Sequence, residues 1–215
     1  MKSIGKTLIL SAALLTAGIG VGMAMAQHDH DSKWSQNGGM QTVDPMTQKY
    51  MDAWKAYAMP TENHKALDWK VGTWTGKVNM WMMPQQPEPE TSECSVTTSW
   101  VMDHRYLQST VEGQFNGETF QGLGVEGYDN FQKKYVGTWI DNMGTGIMSM
   151  EGQWDSSKNT MTTTGEGPNF WTGKMVKSHG TVTKISNNSY KEEMYAPGPD
   201  GKEFKCMEIT YTRTN

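Results

Sequence analysis

The chain has 215 residues, with 23 acidic and 19 basic side chains and a formal net charge of −4. That mildly acidic balance, with no basic cluster, argues against nucleic acid or an anionic lipid surface as a partner. With only two cysteines, Cys94 and Cys206, the chain can hold at most one internal disulfide.

Residues 1–26 read as a secretory signal peptide. Lys2 and Lys6 supply a positive start, Leu8 to Val21 is almost uninterruptedly apolar, and Ala24-Met25-Ala26 offers small side chains at the cleavage positions. No second long apolar run occurs, so no membrane span is expected after cleavage, and the chain is expected to be exported, to the periplasm or beyond. Export would place the cysteines where a disulfide persists, but spacing alone does not choose between one bridge and two separate thiols.

Residues 27–43 are polar, Gly-containing and aperiodic, the pattern of a flexible N-terminus. His28 and His30 sit in this stretch, where imidazoles could chelate a metal or simply belong to a polar tail. Residues 44–68 form a predicted helical segment. Asp44-Pro45 is a helix start, and Met46, Tyr50, Trp54 and Tyr57 recur at helical spacing to form one apolar face. Pro60 stops this helix, and Thr61 begins a second short one ending near Trp69. The segment is short enough to cap one mouth of a barrel.

From residue 69 to 215 the texture changes to Thr, Val, Tyr, Trp and Gly with turn signals every few residues. Asn116-Gly117 is a hairpin turn, and Pro199-Asp200-Gly201 and the stretches near 129, 155 and 186 mark others. The intervals predict about ten strands: 70–82, 92–102, 105–115, 118–128, 133–142, 145–154, 159–166, 173–185, 189–196 and 203–213. Short hairpins make sequence neighbours antiparallel neighbours, and closing the sheet removes its two exposed edges. The expected fold is therefore all-β, a closed antiparallel up-and-down barrel of about ten strands, with a two-sheet sandwich as the alternative.

The first strand carries Gly72-Thr73-Trp74 and the last ends Tyr211-Thr212-Arg213. This pairing resembles the lipocalin or calycin superfamily, a resemblance that implies a Trp across the barrel floor with the Arg packed on its ring. Further stretches are His64-x-x-Leu67, Arg105-Tyr106-Leu107, Gly127-Tyr128-Asp129-Asn130, Tyr135-Val136-x-Thr138-Trp139-Ile140-Asp141-Asn142, Met143-Gly144-Thr145-Gly146 and Pro199-Asp200-Gly201. Together they make residues 64–213 similar to a family of secreted bacterial lipocalin-like proteins of unknown function. The resemblance implies a fold and no activity. It also leads one to expect Gly in the turn before Arg105, where this chain has His104.

Strand alternation puts Trp74 and Arg213 on inward-facing positions, and Tyr135, Trp139 and Asp141 on one common face. Candidate lining residues for a small hydrophobic ligand are Trp74, Trp100, Tyr128, Trp139, Trp154 and Tyr211, with Asp141 and Arg213 as polar anchors. Met80, Met82 and Met83, and Met143, Met148 and Met150, form two groups that either fill an irregular apolar space or offer soft metal ligands. No zinc spacing, nucleophile elbow or phosphate loop is present, so no catalytic residue, metal or cofactor is assigned. Glu192 and Glu193 point to opposite faces of a strand and are expected as solvated or salt-bridged residues. His179 is the one mid-strand histidine that a haem-type ligand could use. The leading reading is a binding barrel. The alternatives are an enzyme in the same cavity, with His104 or a carboxylate as acid/base, and an interaction module with a filled core.

Overall fold

The computed structural model describes residues 43–214. The stretch 1–26 read as a signal peptide and the stretch 27–43 read as a flexible N-terminus, His28 and His30 included, lie outside the described residues apart from Val43.

Asp44 caps helix α1 (Pro45–Ala58) with its carboxylate, which accepts from the Met46 and Thr47 backbone N–H groups at 3.0 and 3.1 Å. The predicted apolar stripe exists but is not buried: Met46, Tyr50, Trp54 and Tyr57 are all more than half exposed. Helical spacing says which side chains share a face, not what lies opposite them. The C-terminal carbonyls hold α1 in place. Asn130 Nδ2 donates to Tyr57 O and Met59 O, and Arg105 Nε donates to Ala58 O. The buried cap comes instead from the next segment. Leu67, between helix α2 (Glu62–Lys65) and a 3-10 turn (Asp68–Lys70), is wholly buried.

Ten strands complete the domain: β1 (Gly72–Met80), β2 (Glu90–Val101), β3 (Tyr106–Phe115), β4 (Glu118–Asp129), β5 (Lys134–Asp141), β6 (Met148–Asp155), β7 (Thr160–Asn169), β8 (Lys174–Ser186), β9 (Ser189–Pro197) and β10 (Glu203–Arg213). Each pairs antiparallel with its sequence neighbours, and β1 pairs with β10, so the sheet is a closed barrel and not a sandwich. Asn116 and Gly117 both take positive φ, 51° and 81°, the backbone of a tight hairpin whose twist matches its strands.

Alternation is clear on β1 and β2, where Trp74, Gly76 and Val78, and Cys94, Val96 and Thr98, are buried between exposed neighbours. Most of the core gathers near the end where β1 starts. Leu67, Leu107, Tyr135 and Met161 pack as one group, and Trp74, Val96, Tyr190 and Tyr211 belong to a second. The two cysteines are unbridged. Cys94 pairs across to Gly76 on β1, whereas Cys206 lies on β10, on the other side of β1.

Candidate functional site

The barrel floor is built from a carbonyl-rich turn held by two residues. Trp74 Nε1 donates to Lys70 O at 2.9 Å. Arg213 sits 4.0 Å above the Trp74 ring and donates to Trp69 O and Val71 O, both at 2.7 Å. The 3-10 turn ends where its last carbonyls lack backbone partners, and the guanidinium fork supplies donors there. The turn is thereby fixed with the Lys70 side chain directed into the barrel.

Above this floor the barrel is hollow. Its diameter grows with strand number, and about eight strands already enclose a side-chain-filled interior. Ten strands leave a cavity of about 490 Å³. The filled-core alternative does not hold. The walls are mainly apolar: Val96, Val111, Val182 and Ile209 low down, and Phe115, Phe120 and Trp139 toward the far end. Met80, Met143, Met148 and Met150 also line it, so the methionine groups read from the sequence mostly border this space; Met143 is exposed as well, and Met82 and Met83 are exposed and lie outside the lining.

Trp139 lies across β4 where two glycines face it. A Cβ on Gly122 would stand 2.4 Å from the indole Cζ2 and Cη2 atoms, so only glycine admits the ring in this position. Asp141 orients the indole by accepting from Nε1 at 2.8 Å, and accepts from the Met143 N–H at 3.0 Å. It therefore serves both the turn and the cavity wall.

One group of polar side chains converges inside. Lys70 forms an ion pair with Glu126 of β4. The Tyr211 hydroxyl donates to Glu192 Oε2 at 3.1 Å. Burial pushes the Glu192 carboxyl above its ordinary value, against the attraction of Lys70 and with the repulsion of Glu126. For Lys70, burial alone would lower the value, but the Glu126 and Glu192 charges outweigh it and the net direction is upward. Burial, with help from Glu192, pushes the Cys94 thiol to about 11, so it is protonated at neutral pH and is no ready nucleophile.

The strand pattern leads one to expect a solvated or salt-bridged Glu192, and the structure corrects this. Its neighbour Glu193 does pair outside, with Lys191 and Lys205. Glu192 instead shares the inward face of β9 with Tyr190 and Met194. The signal is present in the sequence as a charged residue at an inward alternation position, flanked two residues away on each side by large apolar groups.

Of the candidate lining residues, Trp139, Asp141 and Tyr211 border the cavity. Trp74 and Arg213 form the floor. Trp100, Tyr128 and Trp154 pack beneath it against the group containing Leu67 and Tyr135, with Trp100 Nε1 donating to Asp68 at 2.8 Å. A separate depression of about 510 Å³ beside the β3–β4 hairpin is lined by Thr91, Ser92, Glu93, Gln114, Asn116 and Gly117 and gathers no charged pair.

Residues 59–213 match the family described as "Protein of unknown function (DUF1579)". The chain belongs to the DUF1579 family. The match takes in α2, the 3-10 turn and all ten strands, and leaves out α1. No curated protein matches this DUF1579 chain. Among solved structures, Rv2717c from M. tuberculosis is similar at 10% identity and a TM-score of 0.53, covering 73% of this chain and 100% of that one, a likeness of fold alone. A redesigned beta barrel is similar at 15% identity and a TM-score of 0.36, covering 70% and 96% of the two chains. EF1p2_mFAP2b bound to DFHBI is similar at 13% identity and a TM-score of 0.38, covering 71% and 99%.

Two histidines of the DUF1579 chain direct their rings away from the cavity, although the His179 position borders it. His104 has φ of 63°, in the left-handed region, which explains why Gly is the expected residue there. Its exposed ring packs on Trp100 at 5.6 Å, away from any acid–base role in the barrel. His179 stacks on Tyr195 at 4.7 Å and pairs with Glu203. Tyr195 alternates with inward-facing Met194, so this stack is on the outer face, where no interior haem is reached.

Proposed function

We propose that this DUF1579 protein is an exported lipocalin-like binding barrel that holds one small, mainly apolar ligand in its interior. The observation that carries the reading is the 490 Å³ cavity with mainly apolar walls above the converging Lys70, Glu126, Glu192 and Tyr211 side chains. That is the usual make-up of a small-molecule site, where apolar surface supplies affinity and a few polar atoms set orientation. Trp139 and Tyr211 would touch the ligand, and Trp74 with Arg213 would support it from below.

Native mass spectrometry of protein taken from its own host tests this directly, with a co-purifying small molecule expected. Quenching of tryptophan fluorescence by a panel of apolar amphiphiles is the second measurement, since Trp139 lies in the wall. No bound molecule and a flat response across the panel would remove the proposal. Export is tested by the N-terminus of the protein recovered from the periplasm, expected at Gln27.

Turnover in the same cavity is the second reading, favoured by the convergence of Lys70, Glu126 and Glu192. The Lys70 ammonium and the Glu192 carboxyl both stand above their ordinary values, and groups displaced by burial and by neighbouring charge are the raw material of acid–base catalysis. Recovery of a bound amphiphile chemically altered after incubation would favour it. Recovery of the unchanged compound would leave binding as the function.

A further inference from the structure

The polar groups in the cavity carry an imbalance that specifies a head group. Lys70 supplies the ammonium, and Glu126 and Glu192 supply two carboxyls. Glu126 takes Lys70 as its ion-pair partner. Glu192 keeps one neutral donor, Tyr211, on Oε2, and among the described residues no donor reaches its Oε1. Protein surrounds Glu192 on every side, yet part of it stays accessible, so the space that it faces is the cavity itself. Tyr190, Cys94, Lys70 and Glu126 are the other titratable groups that act on this corner, and Arg213 acts on Tyr190 from the floor, where its donors are taken by the Trp69, Val71 and Asn187 carbonyls. Of the two cations, Lys70 is the one that borders the cavity and acts on Glu192.

We propose that the cavity is selective for amphiphiles with a cationic nitrogen head, long-chain amines in chemical class, with the ammonium seated against Glu192 and the tail lying along Trp139 and the methionines. This rests on the binding reading above and narrows it. An arriving ammonium gives the corner two positive and two negative groups, and supplies Glu192 Oε1 with the donor it lacks. A carboxylate head would bring a third acid to a corner whose one lysine is already engaged, and leaving an unpaired charge in a water-poor site is costly. An alcohol head can donate one hydrogen bond but adds no charge. Rejection of fatty acids is thus built from the same atoms as acceptance of amines.

The test is a titration of the full protein at pH 7.5 with decylamine, decanol and decanoate, which share one tail length and differ in the head. Tryptophan fluorescence and calorimetry read the affinities, and the same series is run on Glu192→Gln after its folding is checked by thermal melting. Decylamine is expected to bind at least tenfold more tightly than either of the others. In Glu192→Gln the ratio of amine to alcohol affinity is expected to fall toward one. If decanol or decanoate binds as well as decylamine, the head-group proposal is overturned while the binding barrel survives. If the glutamine variant keeps the full preference, Glu192 is not the seat and the proposal is likewise overturned. If none of the three binds, the binding reading and the proposal built on it both fall. Should the variant not fold, the three-ligand comparison on the native chain still decides the selectivity.

Discussion

Arg213 is set over the Trp74 indole at 4.0 Å, and the same guanidinium donates to the carbonyls of Trp69 and Val71. The two residues also face one another in the β1–β10 ladder, so one contact closes the sheet and fastens the floor. A third donation, to Asn187 O at 3.0 Å, ties in the β8–β9 turn.

Arg213→Lys keeps the charge and loses the planar fork. Hydrogen bonds from a charged group contribute about 1.5–3 kcal/mol each, and lysine can retain only part of the set, so a loss of about 2–3 kcal/mol is expected. In a domain of this size that lowers the melting temperature by roughly 4–12 °C. A variant within about 0.5 kcal/mol of the native chain in urea unfolding would show that the floor does not depend on this residue.

Gly122→Val acts on Trp139. The new side chain would occupy the volume of the indole edge, and the ring can yield only by swinging into the cavity. Binding should suffer more than folding. A loss of tenfold or more in ligand affinity is expected, with a changed tryptophan emission and a cooperative unfolding transition. Unchanged affinity would mean that Trp139 does not border the occupied part of the cavity.

Leu67 and Met150 should respond differently to truncation. Leu67 is wholly buried beneath the floor, and Leu67→Ala should cost about 2–5 kcal/mol through lost burial and an unfilled void. Met150 already borders open space, so Met150→Ala should cost well under half as much in chemical denaturation. Equal costs would indicate that the barrel collapses around the hollow.

His64 makes stability depend on pH. Its Nδ1 accepts the Thr61 N–H at 3.0 Å, which requires the neutral ring. Burial, and then the Arg105 charge, hold its pKa below the ordinary value of 6.5. A depressed folded-state value means that the unfolded chain binds the proton more readily. The stabilisation is therefore complete above 6.5 and is lost as pH falls toward the folded value. The raised Glu192 carboxyl works in the opposite sense, so the informative quantity is the difference between native and His64→Gln melting profiles between pH 7.5 and 5.5. Parallel profiles would exclude His64 as the source.

Local chemistry announced the strands. Asn116-Gly117 takes the two positive φ values of its hairpin, and the strands around it end within a few residues of the turn signals. Trp74 and Arg213 were legible as partners because their parities agree and because the first and last strands of a closed sheet must meet. The exposed face of α1 was not legible: its spacing is that of a covered helix, while its contacts run through the backbone carbonyls at its end.

The sequence by itself determined that an antiparallel sheet would form and close, because turn preference, strand alternation and the avoidance of free edges act over short stretches of chain. Only the tertiary structure decided that the interior is hollow and that Lys70, Glu126 and Glu192 share its base. These residues come from a 3-10 turn, from β4 and from β9, and nothing local records that three distant segments will be wrapped to one point. Closure of ten strands brings them together, and the surrounding apolar wall turns three ordinary surface-type residues into an interior charge cluster.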